Sequence, residues 1–195
     1  MDARLNVGTA GNVSVRCGDG LLITPSGRHP RDTAPGDMVR LALDGEVTGP
    51  GKPSSEWRFH CDLYRQRSDA GAVVHMHSPY ATTLSCQRRG LPPFHYTIAR
   101  FGGDDVRCAP YAAFATAELS QTVVDAMHQR SACLMANHGA TVIGRDLDEA
   151  LANAIELEFL CELYWRALQG GTPVLLDAQE MREIGARYRG YCARG

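Results

Sequence analysis

Two Asp-Gly pairs place the first constraint on this chain. Asp19-Gly20 separates the strand-like runs 12–16 (NVSVR) and 21–24 (LLIT), and Asp44-Gly45 separates 37–43 from 46–48. Asp-Gly between such runs signals a tight hairpin, and a hairpin joins antiparallel neighbours. Helices and further strands follow. Residues 56–68 read as a helix opened by the polar GPGKPSS stretch, 72–77 (AVVHMH) as a strand, and 78–87 as a second helix. A third helix covers 115–129 from a Thr116 cap, and strands at 131–136 and 140–143 flank Asn137-His138-Gly139. From 147 to 168, Leu147, Leu151, Ile155, Phe159 and Leu163 recur every four residues and form one apolar face of a long helix. Asp148 and Glu149 suit its first turn, and Gly170-Gly171 ends it. Hairpins interleaved with helices imply an α/β fold with a mostly antiparallel, mixed sheet. The glycines spell neither G-x-G-x-x-G nor G-x-x-x-x-G-K-[ST], which argues against a doubly wound nucleotide fold.

At 195 residues with no repeat, linker or low-complexity stretch, the chain is expected to form a single domain over 1–195. No run of eighteen apolar residues is present, and the opening MDARLNVGTAGN is not patterned as a secretory signal. A net charge of −2 without a Lys/Arg block argues against nucleic acid as a partner. Seven scattered cysteines, with no C-x-x-C pair, imply reduced thiols and a cytoplasmic location. Cys133 and Cys161 lie among apolar neighbours and read as small core residues.

His75-Met76-His77 is the most informative local motif. Alternate residues of a strand share a face, so the two imidazoles project together and can bind one divalent ion. Alone, the pattern equally describes two surface histidines, the commoner case. His138, at a strand end beside Gly139, supplies a third imidazole, and Gly139 permits the bend that aims it inward. Three histidines with an open fourth position form a catalytic rather than a structural set. His29, in a polar loop, His128, near a helix end, and His60, on an apolar helix face, read as structural.

Lys52-Pro53-Ser54-Ser55-Glu56-Trp57 offers two hydroxyls and free backbone N–H groups at a helix start. That suits a phosphate, and it also suits plain capping. Glu56 is either a dipole-favourable residue or a carboxylate serving as metal ligand and base. Gly8-Thr9-Ala10-Gly11-Asn12 and Thr24-Pro25-Ser26-Gly27 present donors in turns that fit an oxyanion, or are ordinary turns.

Taken together, GTAGNVSVR, ITPSG, KPSSEW, AVVHMHSPYAT, HYTIA, APYAAFATAEL and NHGATVIG resemble the class II aldolase/adducin family, in family order and over nearly the whole chain. The resemblance implies a three-layer α/β/α fold around a mostly antiparallel mixed sheet. It also implies a zinc aldolase, one ion per subunit, that cleaves a ketose 1-phosphate to dihydroxyacetone phosphate and an aldehyde through a metal-stabilised enediolate. Carried over by position, His75, His77 and His138 are metal ligands, and Glu56 is the catalytic acid/base and a fourth ligand without substrate. Thr9, Asn12, Ser26, Gly27, Ser54 and Ser55 fall at phosphate positions, and Asn12 also helps hold the enediolate. Tyr96 matches a tyrosine that reaches a neighbour's active site across a subunit boundary in a homotetrameric ring. Tyr191 matches a further substrate-side tyrosine, with Tyr188 its rival. Relatives carry an amphipathic helix before the Gly-rich turn, whereas seven residues precede Gly8 here, so that helix is expected to be shortened. Pro92-Pro93-Phe94 next to Tyr96 is expected to be exposed on a lone subunit.

The same family contains sugar-phosphate 4-epimerases, 3-oxo-tetronate 4-phosphate decarboxylases and adducin-like interaction modules. The epimerase has Asp where this chain has Glu56, and adducin-like heads lack the three histidines. The decarboxylase remains an alternative on the same metal site.

Overall fold

The computed structural model describes residues 4–192, the last four by backbone alone. Seven strands form one sheet: β1 (Asn12–Cys17), β2 (Gly20–Ile23), β3 (Val39–Ala42), β4 (Ala72–Met76), β5 (Arg107–Ala109), β6 (Ala132–Met135) and β7 (Gly139–Gly144). Their order is β3-β2-β1-β4-β7-β6-β5. Every pairing is antiparallel except β5 with β6. The helices are α1 (Trp57–Gln66), α2 (Pro79–Cys86), α3 (Ala117–Ala126), α4 (Leu147–Gly170) and α5 (Ala178–Cys192).

Strand alternation splits the core into two layers. Val73, Cys133, Met135 and Ile143 face α1 and α3, where Phe59, Leu63, Leu119 and Val123 are buried. Val74, Met76, Leu134 and Val142 face the other way, onto Leu84 of α2, Leu157 and Leu160 of α4, and Met181 of α5. The result is the α/β/α arrangement that the resemblance implies. All five residues of β4 are buried, so His75 is a polar side chain inside a strand with no access to water. Among the described residues, no helix is long and apolar enough to cross a membrane.

Several elements differ from the sequence expectation. The outgoing arm of the second hairpin is a single bridge, Leu41 to Val47, and the turn is held by Glu46 N–H donating to Asp44 Oδ1. β5 and α5 had no counterpart in the reading. The apolar face of α4 is also not the face it buries. Leu147, Leu151, Ile155 and Phe159 are 44–51% exposed, while Ala150, Ala154, Leu157 and Cys161 lie against the sheet and α2. Small residues there allow a close approach between helix and sheet.

Candidate active site

The sheet register brings three distant segments to one point. Asn12 of β1 and Thr141 of β7 both pair with His75 of β4. His77 follows the end of β4 on the same face as His75, and its N–H donates to Asn6 Oδ1 at 2.8 Å. His138 ends the turn between β6 and β7. The left-handed residue of that turn is Asn137 (φ +56°), not Gly139. Gly139 is needed for a different reason: a Cβ there would lie 2.3 Å from Met76 O and 3.0 Å from the His77 ring. The glycine lets β7 pass against the strand that carries the histidines. Glu56 enters as the residue preceding α1, from the layer that His75 faces.

The three imidazoles form a propeller, with ring centroids 4.8–4.9 Å apart and planes near-perpendicular at 78–80°. His77 Nε2 lies 3.0 Å from His75 Nε2. Glu56 Oε2 lies 3.2 Å from His75 Nε2, and Glu56 Oε1 lies 3.2 Å from His138 Nε2. The four donor atoms all fall within 4.8 Å of one another. His75 Nδ1 bonds the Ala140 carbonyl at 3.0 Å, so it carries the hydrogen and turns the Nε2 lone pair to the centre.

This donor set fits a divalent ion. Neutral imidazole lone pairs that converge on one another and on a carboxylate repel unless they share a cation. Glu56 Oε1 is buried without any hydrogen-bond partner. Three imidazole nitrogens and one carboxylate oxygen suit a borderline metal with an exchangeable position. Burial raises the Glu56 carboxyl, but the His138 and His75 imidazoles 3.2 Å from its two oxygens outweigh that and hold it well below the usual carboxylate range. Burial, helped by His75 and His138, pushes His77 down to about 4. Ionised carboxylate and neutral imidazole are the ligating forms.

The centre opens into a cleft of about 620 Å³, on which Glu56, His77 and His138 lie. Thr9, Asn12, Ser26, Gly27, Ser54 and Ser55, the residues that the resemblance assigns to a phosphate, line it together. Two hydroxyl-bearing turns are clamped together there. Ser26 N–H donates to Lys52 O at 2.9 Å, Ser54 N–H to Thr24 O at 3.0 Å, and Pro25 bridges Pro53. Arg28, paired with Asp37 at 2.7 Å, brings a cation to the rim that the sequence reading missed. It also missed Tyr111 and Phe114, apolar rings on the cleft wall that are 56% and 70% exposed.

The remaining residues singled out from the sequence lie away from the cleft or beyond the described part. Tyr96 is 52% exposed and lies outside this cleft, at the start of the 3-10 helix Tyr96–Phe101. Its neighbour Phe94 is not left exposed but packs on Tyr164, ring centroids 4.9 Å apart. The Tyr191 side chain lies outside the described residues, and Tyr188 packs against the α4–α5 core, away from the cleft. His60 is a core residue, as expected, and its ring is tied at both nitrogens. It is wholly buried, with Nε2 2.6 Å from Asn12 Oδ1 and Nδ1 2.7 Å from Ser14 Oγ. Its partners lie 46 and 48 positions away, so no local pattern could have disclosed them.

The family model for the class II aldolase and adducin N-terminal domain matches residues 1–165. A 5-methylthioribulose-1-phosphate/5-deoxyribulose-1-phosphate aldolase of Rhodospirillum rubrum is 52% identical over 187 residues, 96% of this chain and 85% of that protein. The L-fuculose phosphate aldolase of Escherichia coli is 42% identical over 191 residues, 97% of this chain and 89% of its own length. A solved structure of L-fuculose 1-phosphate aldolase superposes with a TM-score of 0.93 at 38% identity, covering 96% of this chain and 90% of that one. With the sheet order, the converging histidines and aldolases as relatives over nearly its full length, the chain belongs to the class II aldolase/adducin family and is one of its aldehyde-lyases.

Proposed function

We propose that this chain is a zinc-dependent aldolase that cleaves a ketose 1-phosphate with a deoxy or methylthio terminus into dihydroxyacetone phosphate and an aldehyde. It does so as a cytoplasmic homotetramer of single-domain subunits. The observation that carries the reading is the junction of the Glu56–His75–His77–His138 group with one cleft, hydroxyl-lined on one wall and aromatic on another. The Rhodospirillum rubrum relative acts, by its name, on 5-methylthioribulose and 5-deoxyribulose 1-phosphates, whose far ends are a methylthio and a methyl group. Tyr111 and Phe114 offer such an end an apolar surface.

In this reading Ser26, Gly27, Ser54, Ser55 and Thr9 hold the phosphate and set the substrate's orientation, so binding energy remote from the reacting bond positions it. A zinc ion held by His75, His77 and His138 supplies Lewis-acid stabilisation of the negative charge that C–C cleavage leaves on the ketose half. Glu56, hydrogen-bonded to Asn12, takes up the proton that leaves the hydroxyl destined to be the aldehyde oxygen and returns it to the carbon that loses the aldehyde. The Asn12 Nδ2 group donates to oxyanion character developing beside it. Tyr96 of an adjoining subunit and Tyr191 relay the proton from that hydroxyl toward Glu56, leaving the carbonyl of the aldehyde.

The test is a zinc-dependent assay of dihydroxyacetone phosphate release from 5-methylthioribulose, 5-deoxyribulose and L-fuculose 1-phosphates, with a 3-oxo-tetronate 4-phosphate in parallel. Release from at least one ketose is expected. Carbon dioxide from the tetronate with no ketose cleavage would move the assignment to a decarboxylase. A protein that binds no divalent ion would remove its basis.

A further inference from the structure

Behind Glu56 runs a buried chain of side chains: Tyr64 OH to Ser14 Oγ at 2.9 Å, Ser14 Oγ to His60 Nδ1 at 2.7 Å, His60 Nε2 to Asn12 Oδ1 at 2.6 Å, and Asn12 Nδ2 to Glu56 Oε2 at 3.0 Å. Ser14 and His60 are at most 1% exposed, Tyr64 2% and Asn12 5%. The polarity of every link follows from its last member. An ionised carboxylate only accepts, so Asn12 must present its NH₂ to Glu56 and its carbonyl oxygen to His60. His60 Nε2 therefore carries the hydrogen. In a neutral ring Nδ1 is then an acceptor, Ser14 O–H donates to it, and Tyr64 O–H donates to Ser14. Burial keeps the ring neutral, and His75 nearby adds to that; together they hold it down to about 3.

We propose that His60, backed by Ser14 and Tyr64, is a positioning group that fixes which end of the Asn12 carboxamide faces Glu56 and the cleft. The proposal rests on the aldolase reading for its consequence, though not for its geometry. While Glu56 is ionised, its charge alone favours the NH₂ end of Asn12. Once Glu56 takes up a proton that preference disappears, and a carboxamide free to rotate could offer its oxygen to the developing negative charge. The His60 Nε2–H bond to Oδ1 keeps the nitrogen forward through that step. Only one of the two Nδ2 hydrogens is spent on Glu56, which leaves the other for an oxyanion in the cleft. His60 thus matters most at the stage with the most charge to hold, so its loss should lower kcat more than it raises KM.

Two substitutions separate the role from general packing. In His60→Gln the amide nitrogen falls near the former Nε2 and can still donate to Asn12. In His60→Asn the shorter side chain cannot reach it. Loss of a partner that orients a site ligand typically costs about 10–100-fold. We expect a kcat fall of that size in His60→Asn with KM within about threefold, and recovery of most of it in His60→Gln. The second readout needs no turnover. Nitrogen-15 spectra of the full chain, with and without Zn²⁺, should show His60 protonated at Nε2 only, with an exchange-protected Hε2, and Asn12→Ala should shift that resonance. A ring protonated at Nδ1 alone would reverse the chain of donors and overturn the proposal. So would a His60→Asn enzyme with wild-type kcat. If the wild-type protein cleaves none of the ketose phosphates, the aldolase reading fails and the tautomer still decides this inference.

Discussion

At the residue scale, Glu56 sits where two demands meet. It is 8% exposed and ionised, bonded to Asn12 through one oxygen and facing His138 with the other. Glu56→Gln keeps shape and most ligand geometry but cannot accept a proton. It should retain bound zinc and lose about 10²–10⁴ in kcat, measured by metal analysis beside steady-state kinetics. A variant with wild-type kcat would reduce Glu56 to a structural residue. His75→Ala should lose metal and activity together, because the ion keeps only two imidazoles. His60 gives a pH effect whose sign follows from its environment. Its folded-state pKa, about 3, lies below the 6.5 of the free side chain. The unfolded chain therefore binds a proton that the folded chain refuses, so the His60 term is fully favourable above pH 6.5 and is lost progressively as pH falls toward 3. Thermal melts of wild type and His60→Gln between pH 7 and 4 should converge as pH drops, since the variant lacks this term. Parallel curves would show that the ring titrates normally.

At the scale of elements, legibility tracked how local the determining forces are. His75 and His77 were readable because a strand's two-residue period places both rings on one face without help from the rest of the chain. The hairpin β1–β2 was readable from its Asp-Gly turn. β5 was not, since three residues (RCA) become a strand only by joining the edge of β6. α4 was readable as a helix but not in its orientation, because burial was decided by the small side chains Ala150 and Ala154, which fit closely against the sheet and carry little apolar signal. The two hydroxyl-bearing turns were legible segment by segment, whereas the clamp between residues 24–27 and 52–54 is tertiary. Gly139 shows how a right position can be given a wrong cause: it serves close approach, and Asn137 makes the bend. Gly139→Ala should therefore act through β4. A Cβ pressed on Met76 O must push the strands apart, costing about 1–3 kcal/mol and displacing His77. Thermal melting and zinc titration should both weaken. Weakened stability with unchanged zinc affinity would show that the strain is relieved away from the histidines.

For the whole molecule, two surface features remain unexplained by a lone subunit. The α4 stripe Leu147, Leu151, Ile155 and Phe159 runs along one exposed helix face, and Tyr96 stands outside the cleft of its own chain. A contiguous apolar stripe facing water is costly, and it is the kind of surface that association covers. If Tyr96 acts in the reaction as proposed, its place outside its own cleft makes the cleft it serves a neighbour's. The exposed stripe and the proposed role of Tyr96 are the grounds for proposing a homotetramer, because a contact that joins different patches on successive subunits closes into a ring. Light scattering of the wild-type chain should give four subunits, and the pair Leu151→Glu and Ile155→Glu should shift it toward smaller species by placing charge in the covered stripe. A wild-type monomer that turns over substrate would rule out a shared site. Mixing decides the matter more sharply. Glu56→Gln and Tyr96→Phe subunits are each expected to be nearly inactive as uniform rings. If Tyr96 acts on the neighbouring subunit's Glu56 site, rings reassembled from both should contain sites in which an intact Glu56 meets an intact Tyr96. Activity should then return to a fraction set by the random arrangement of subunits. If both residues serve the same chain's site, every site in the mixture carries one defect, and reassembly restores nothing.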